Sequence, residues 1–198
     1  MHIAEGVLTP VILGSGAIVA AAGTMLGLRR LDERRLILVA MLTAAFFVAS
    51  LVHVPIGPGN AHLVLNGLLG AILGWAAFPA ILTALTLQAV LFQFGGLTVL
   101  GVNTVVMALP AVVCGLVCRP LFLKASGTRT AAAFACGSLS VAGSALLAAL
   151  ALIFSEEGFL RAAQILLLVH LPIMAVEGLI TAAIVNFLIR VAPETFHA

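Results

Sequence analysis

Long apolar runs, broken by short stretches of arginine, glycine or proline, set the rhythm of this chain. The runs fall at about residues 8–28, 36–54, 62–78, 80–94, 102–117, 131–154 and 163–191. A helix needs about 20 apolar residues to cross the hydrocarbon of a bilayer, with a working range of roughly 17–25. The pattern therefore predicts an all-α integral membrane protein of seven transmembrane helices. The third and fourth runs are short and meet at Pro79, so a merged pair, giving six spans, is the alternative.

Charge decides between the two counts. Seven crossings put the loops after the first and fifth helices on the same side as the C-terminal tail. Those segments hold Arg29, Arg30, Arg34, Arg35, Arg119, Lys124, Arg129 and Arg190, eight of the nine Lys and Arg residues, with Arg161 opposite. Cytoplasmic loops gather Lys and Arg. The expected orientation is an N-terminus outside and a C-terminus in the cytoplasm, in the plasma membrane. Six crossings would separate Arg119, Lys124 and Arg129 from the arginines at 29–35, so seven is preferred.

Composition agrees with this class. The residues are 63% hydrophobic and 8% charged, with a mean hydropathy of +1.29. Nine basic and seven acidic residues cannot supply the polar shell of a soluble domain of this length. A net charge of +2 without a basic patch argues against a nucleic-acid partner. Glu5 precedes the first apolar run, with no basic stretch before it, so a cleaved secretory signal is not expected. Met1 is then expected to begin the mature chain. Cys114, Cys118 and Cys136 lie inside apolar runs and suggest packing rather than a disulfide framework. No GxxxxGK[ST] phosphate loop is present, so energy for any active transport must come from partners or an ion gradient. One transmembrane domain over residues 1–198 is expected.

The few polar residues at membrane depth are candidates for function, because burying them is costly. His2 is the first. Its imidazole, its own backbone nitrogen and the Met1 α-amine can close two fused chelate rings on one metal ion, leaving a fourth planar position. Planar nitrogen suits Ni(II) and Cu(II) and can be imposed on Co(II). His62 or His53 can supply the fourth nitrogen, although a loop role is the plainer reading of His53. A mobile terminus is the plain reading of Met1-His2 alone. The following Glu5 and Gly6, directly before an apolar helix, make the chelate more persuasive. Glu5 is expected either to cap that helix or to receive the second ring proton of a ligating histidine.

The stretch at 53–63, with Pro55, Gly57, Pro58 and Gly59, predicts irregular backbone between two spans, with His62 opening the third helix. In the Gly95-Gly96-Leu97-Thr98 stretch, glycine permits close backbone approach, and Asn103 can orient a ligand imidazole by hydrogen bonding. Gln88 reads more simply as helix–helix bonding. His170 and Glu177 are seven apart on the last helix and so share a face. A packing or gating role is expected for them rather than a proton relay.

Four ordered motifs resemble one known family. They are Met1-His2-Ile3-Ala4-Glu5-Gly6, the loop from Pro55 to His62, Gly95-Gly96-Leu97-Thr98-x-Leu100-Gly101-x-Asn103, and His170-x-Pro172-x4-Glu177-Gly178. Together they are similar to the CbiM/NikM family, the substrate-capture (S) components of energy-coupling-factor transporters for cobalt and nickel. The resemblance runs from Met1 to about Thr181. It implies a six-helix S-component core with one added N-terminal helix, and a metal held by the Met1 α-amine, the His2 amide and imidazole, and His62. It implies as partners a transmembrane coupling (T) subunit, a pair of cytoplasmic ATPases and often a small accessory membrane subunit. Co2+ or Ni2+ would be the transported substrate, not a cofactor, and the chain would not be an enzyme. Two departures stand out: a histidine at His53, where a non-ligand is expected, and Val106, where asparagine is often expected.

Two other classes fit the residues less well. An intramembrane metalloenzyme lacks an HExxH motif, and a planar four-nitrogen site leaves no equatorial place for substrate. A proton-coupled secondary transporter using Glu177 would be expected to carry an internal repeat, and none is seen.

Overall fold

The computed structural model describes residues 2–51, 53–56 and 59–196, with backbone alone at 53–56, 59–61 and 157. The elements follow in the order α1 (Pro10–Arg29), α2 (Leu36–Ala49), β1 (His53–Ile56), β2 (Gly59–His62), α3 (Asn66–Leu73), α4 (Ala77–Phe92), α5 (Leu100–Phe122), α6 (Ser126–Ile153) and α7 (Leu160–Val191). Short 3-10 turns at Glu33–Arg35, Gly74–Ala76, Glu157–Phe159 and Pro193–Phe196 join or end them. Among the described residues five segments are long and apolar enough to cross a bilayer: Pro10–Arg29, Asn66–Phe92, Leu100–Phe122, Ser126–Ile153 and Leu160–Val191.

The segment Asn66–Phe92 is not one straight helix. Gly74 takes φ +56° and ψ −126°, a backbone shape that only glycine adopts cheaply, and there the chain turns back. Contacts at each end show the reversal. Asn66 reaches Met107 and Gly70 lies on Ala111, so α3 runs alongside α5 in the same direction. Trp75 and Pro79 touch Gly27 at the end of α1, while Gln88 reaches His2 and Ser50. α4 therefore runs opposite to α1. The sequence reading put this boundary at Pro79, which instead sits in the first turn of α4, where its missing N–H costs no helical bond.

Two further boundaries moved. α2 ends at Ala49 rather than near residue 54, so its 14 residues span about 21 Å. His62 does not open a helix. It ends the second strand of a small antiparallel hairpin, in which His53 faces His62 in register. α3 begins only at Asn66, after Leu65 in the left-handed region at φ 53°.

The core is built from small residues. Gly67 lies on Gly137, Gly70 on Ala111, Gly115 on Gly70, and Gly101 on Ala17. At each of these places a Cβ would meet backbone atoms closer than 3.0 Å, which is the geometry of membrane helices packed without large side chains between them. The buried Asn66 side chain at this depth finds partners within the protein. The Asn66 amide donates to the Met107 carbonyl at 3.0 Å and to Ser144 Oγ at 2.8 Å.

Candidate metal centre

The segment before α1 does not trail into solvent. Ile3 is 6% exposed and Leu8 7%, so two apolar anchors seat it on the body. Its backbone is clamped by one side chain from α5: Ile3 N–H donates to Asn103 Oδ1 at 3.0 Å, and Asn103 Nδ2 donates to the Ile3 carbonyl at 3.1 Å. Asn103 is itself 2% exposed. A buried amide that matches a whole peptide group leaves neither partner unpaired.

That clamp carries His2 inward. The His2 ring lies 5.2 Å, centroid to centroid, from the His62 ring, and 6.2 Å from Phe94. His2 Nε2 is 2.8 Å from Gln88 Oε1. With a carbonyl oxygen as acceptor, Nε2 carries the proton and the lone pair resides on Nδ1, the ring nitrogen nearer its own backbone. Gln88 is fully buried and is held in turn through Nε2, which donates to Ser50 Oγ at the end of α2. His62, 6% exposed, donates from Nδ1 to the Leu63 carbonyl at 2.9 Å.

Glycines make room for this arrangement. A Cβ on Gly95 would stand 2.9 Å from Asn103 Nδ2, and one on Gly96 would stand 2.0 Å from Glu5 Cγ. Both have positive φ, +76° and +137°, so a side chain there would be strained as well as crowded. Glu5 folds over this turn. Its Oε1 accepts from Thr98 N at 2.9 Å and from Thr98 Oγ1 at 3.1 Å. These bonds, the backbone one first, hold the exposed Glu5 carboxyl below the ordinary carboxylate range.

Of the other candidates, Glu177 lies on α7, fully buried, and reaches the loop that follows His62. Its Oε1 accepts from Val64 N and, at 2.8 Å, from Leu65 N. The Glu177 side chain thus ties down the backbone just before α3, two residues beyond His62. His170 is buried and turns Nδ1 to the Leu166 carbonyl of its own helix at 2.7 Å. The Met1 α-amine and the His53 side chain lie outside the described residues; the backbone of His53 faces His62 in the hairpin. Among the described residues no three His, Cys, Asp or Glu side chains come together as a metal cage.

The site differs from the sequence reading in three respects. Asn103 bonds the Ile3 backbone rather than an imidazole. Glu5 neither caps α1, whose first turn holds no acidic residue, nor supports a histidine; it ties the N-terminal segment to Thr98. The ring of His2 is supported instead by Gln88, which also makes the expected helix–helix bonds, to Ser50 Oγ and the Phe47 carbonyl of α2. The signal for Gln88 was its position, a polar amide inside an apolar run. Ser50 and Thr98 carried no such signal, because short hydroxyl side chains satisfy themselves on any helix.

Comparison with known proteins gives the same direction. A model of the family described as CbiM, cobalt uptake substrate-specific transmembrane region, matches residues 2–195. A candidate metal transport protein from Haemophilus influenzae is 42% identical over 200 residues, covering 100% of this chain and 97% of that protein. The cobalt transport protein CbiM of Kyrpidia tusciae is 30% identical, covering 98% and 85%. The fused nickel transport protein NikMN of Rhodobacter capsulatus is 34% identical across 98% of this chain, which spans 63% of that longer protein. A crystal structure of a truncated transition metal transporter superposes with a TM-score of 0.77 at 26% identity, covering 96% of this chain and 99% of its own. These likenesses are to transport proteins, not enzymes, and each covers 96% or more of the chain: the chain belongs to the CbiM family of cobalt-uptake substrate-specific transmembrane regions.

Proposed function

We propose that this chain captures Co2+ or Ni2+ from outside the cell as the substrate-binding subunit of an energy-coupling-factor importer. The observation that carries the reading is the docked amino terminus. Asn103 grips the Ile3 peptide while Gln88 holds His2 Nε2, so the bond pattern favours Nδ1 as the metal-facing nitrogen. Nδ1 is the ring atom from which a chelate with the residue's own backbone nitrogen closes. The Met1 α-amine, the His2 amide and Nδ1, and a nitrogen of His62 would then be the four donors. Metal–nitrogen bonds are about 2 Å long, and two rings 5.2 Å apart can share one ion between them.

The fold supports a seven-pass reading. α2 and α3 are each too short to cross alone; on the seven-pass reading, the hairpin loop between them and the reversal at Gly74 let each serve as part of a separate pass. Arg35 donates to the Ile72 carbonyl at 2.8 Å and Arg30 lies 5.5 Å from the centre of the Trp75 ring. The turn after α3 therefore belongs with the arginine loop, on the side the charge rule assigns to the cytoplasm. The capture site then opens outward, and residues 1–198 act as one transmembrane domain of the plasma membrane. A coupling (T) subunit, a cytoplasmic ATPase pair and a small accessory membrane subunit are the proposed partners. The cargo is substrate, so no resident cofactor is required.

The test is metal stoichiometry of purified protein beside His2→Ala and a form with one extra N-terminal residue. About one nickel or cobalt per wild-type chain, lost in both variants while each still folds, is the expected result. An extended form that binds as wild type overturns the chelate.

A further inference from the structure

Between the end of α1, the length of α2 and the part of α4 from Pro79 to Leu87 lies a groove of about 450 Å³. Leu31, Val39, Phe47, Pro79 and Leu87 are among the residues of its walls. The one hydroxyl on its α2 wall, Thr43, is turned to the Val39 carbonyl at 2.7 Å. Hydrocarbon is what the α2 wall offers an occupant. α2 buries only Phe46 within its own length, so it leans on α4 across a seam that this groove keeps open.

One end of the groove meets the loop at 29–35, where four arginines face two carboxylates, Asp32 and Glu33. Two of the arginines are engaged, Arg30 over Trp75 and Arg35 on the Ile72 carbonyl. Asp32 is occupied by the backbone N–H of Arg34 at 3.0 Å. The side chains of Arg29 and Arg34 are exposed and make no hydrogen bond or ion pair among the described residues. Their sequence neighbours Leu28, Leu31 and Leu36 line the groove.

We propose that this groove binds an anionic phospholipid, with one acyl chain between α2 and α4 and the phosphate headgroup on Arg29 and Arg34. An apolar channel suits a hydrocarbon chain. Guanidinium groups bind phosphate through paired charge-assisted hydrogen bonds. Basic pockets beside transmembrane helices are the expected place for anionic headgroups. A second transmembrane helix would satisfy the apolar wall but leave both guanidinium groups unanswered.

The site also touches the metal centre indirectly. α2 ends beside Ser50, which accepts from Gln88 of α4, and Gln88 supports His2. An acyl chain seated between the two helices sets their spacing, and with it the support of His2. This consequence rests on the capture reading above; the lipid site itself does not.

The experiment reconstitutes the full chain into nanodiscs of phosphatidylcholine alone or mixed with phosphatidylglycerol. Lipid retained per chain is counted by mass spectrometry after detergent extraction, and nickel affinity is measured in each disc. Wild type is expected to retain at least one phosphatidylglycerol in preference to phosphatidylcholine and to bind nickel several-fold more tightly when it is present. The double variant Arg29→Gln/Arg34→Gln should lose the headgroup preference, and Ala40→Trp, which fills the groove from an exposed position on α2, should lose the lipid. Equal retention of both lipids, or unchanged retention in both variants, overturns the proposal. His2→Ala separates the two readings, because it should lose nickel and keep the lipid. If it keeps nickel, the capture reading fails while the lipid site stands.

Discussion

Where α3 meets α5 and α6 the backbones themselves touch, whereas the amino-terminal segment reaches the protein body chiefly through side chains. Gly70 lies on Ala111, and Gly67 on Gly137, with no side chain between. Ile3, by contrast, is held by two hydrogen bonds to one asparagine, and Glu5 by two to one threonine. The first contact is a matter of shape and tolerates no added atom. The second is a matter of polar matching and can open without disturbing the helices. The proposed capture role would use both: a rigid frame that fixes His62, and a terminus that docks with the cargo and leaves.

The largest effect should come from adding one carbon to the frame. The Cβ of Gly70→Ala would lie 1.9 Å from the Ala111 carbonyl oxygen, and backbone cannot rotate out of the way. Overpacking of this kind costs about 3 kcal/mol or more. The expected outcome is a large fall in folded, monodisperse protein, read by size exclusion and thermal melting, before metal binding is even measured. Normal folding of this variant would mean that α3 and α5 are separable and that the contrast between the two regions is false.

An intermediate effect is expected from Asn103→Ala. It removes both bonds to the Ile3 peptide, and each net hydrogen bond is worth about 1 kcal/mol. Two of them correspond to a loss of metal affinity on the order of 10- to 30-fold, with thermal stability of the helical body nearly unchanged. Calorimetric titration with nickel beside a melting curve checks both halves. A melt that falls as far as that of Gly70→Ala would show Asn103 to be part of the frame rather than a clamp on a movable segment.

These two regions were not equally legible in the sequence. The helices were readable because lipid imposes a length and an apolar composition on any span, and the arginines at 29–35 set only the direction expected of them. Asn103 and the histidines were readable because a polar group in an apolar run needs a reason. The turn at Gly74 was not readable, because Gly74 looks like any glycine in a membrane helix while Pro79 nearby is the stronger local signal. The partner of Glu5 was hidden for a different reason. Thr98 is 93 residues away, and only the fold of the glycine turn brings it there. Glu177 fell between the two: its depth marked it as paired, but its partners, two backbone N–H groups after His62, follow from the left-handed turn at Leu65.

The smallest effect tests the outermost tie of the movable segment. Glu5 is exposed, and its carboxyl is held below the ordinary carboxylate value by the Thr98 bonds. A carboxyl whose pKa is lower in the docked state binds protons more readily when undocked, so its contribution to docking is complete above the ordinary value. That contribution fades as pH falls through the lower, docked value. Metal binding itself should weaken earlier on acidification, since the proposed amine and imidazole donors must shed protons to ligate. Hydrogen exchange of residues 2–8 in metal-free protein isolates the first process from the second. Protection should hold down to the ordinary carboxylate range and decline below it in wild type, while Glu5→Gln should show a slightly lower protection with no such decline. An identical pH profile in the two proteins would place the tie elsewhere on the segment, with Asn103 as its main hold.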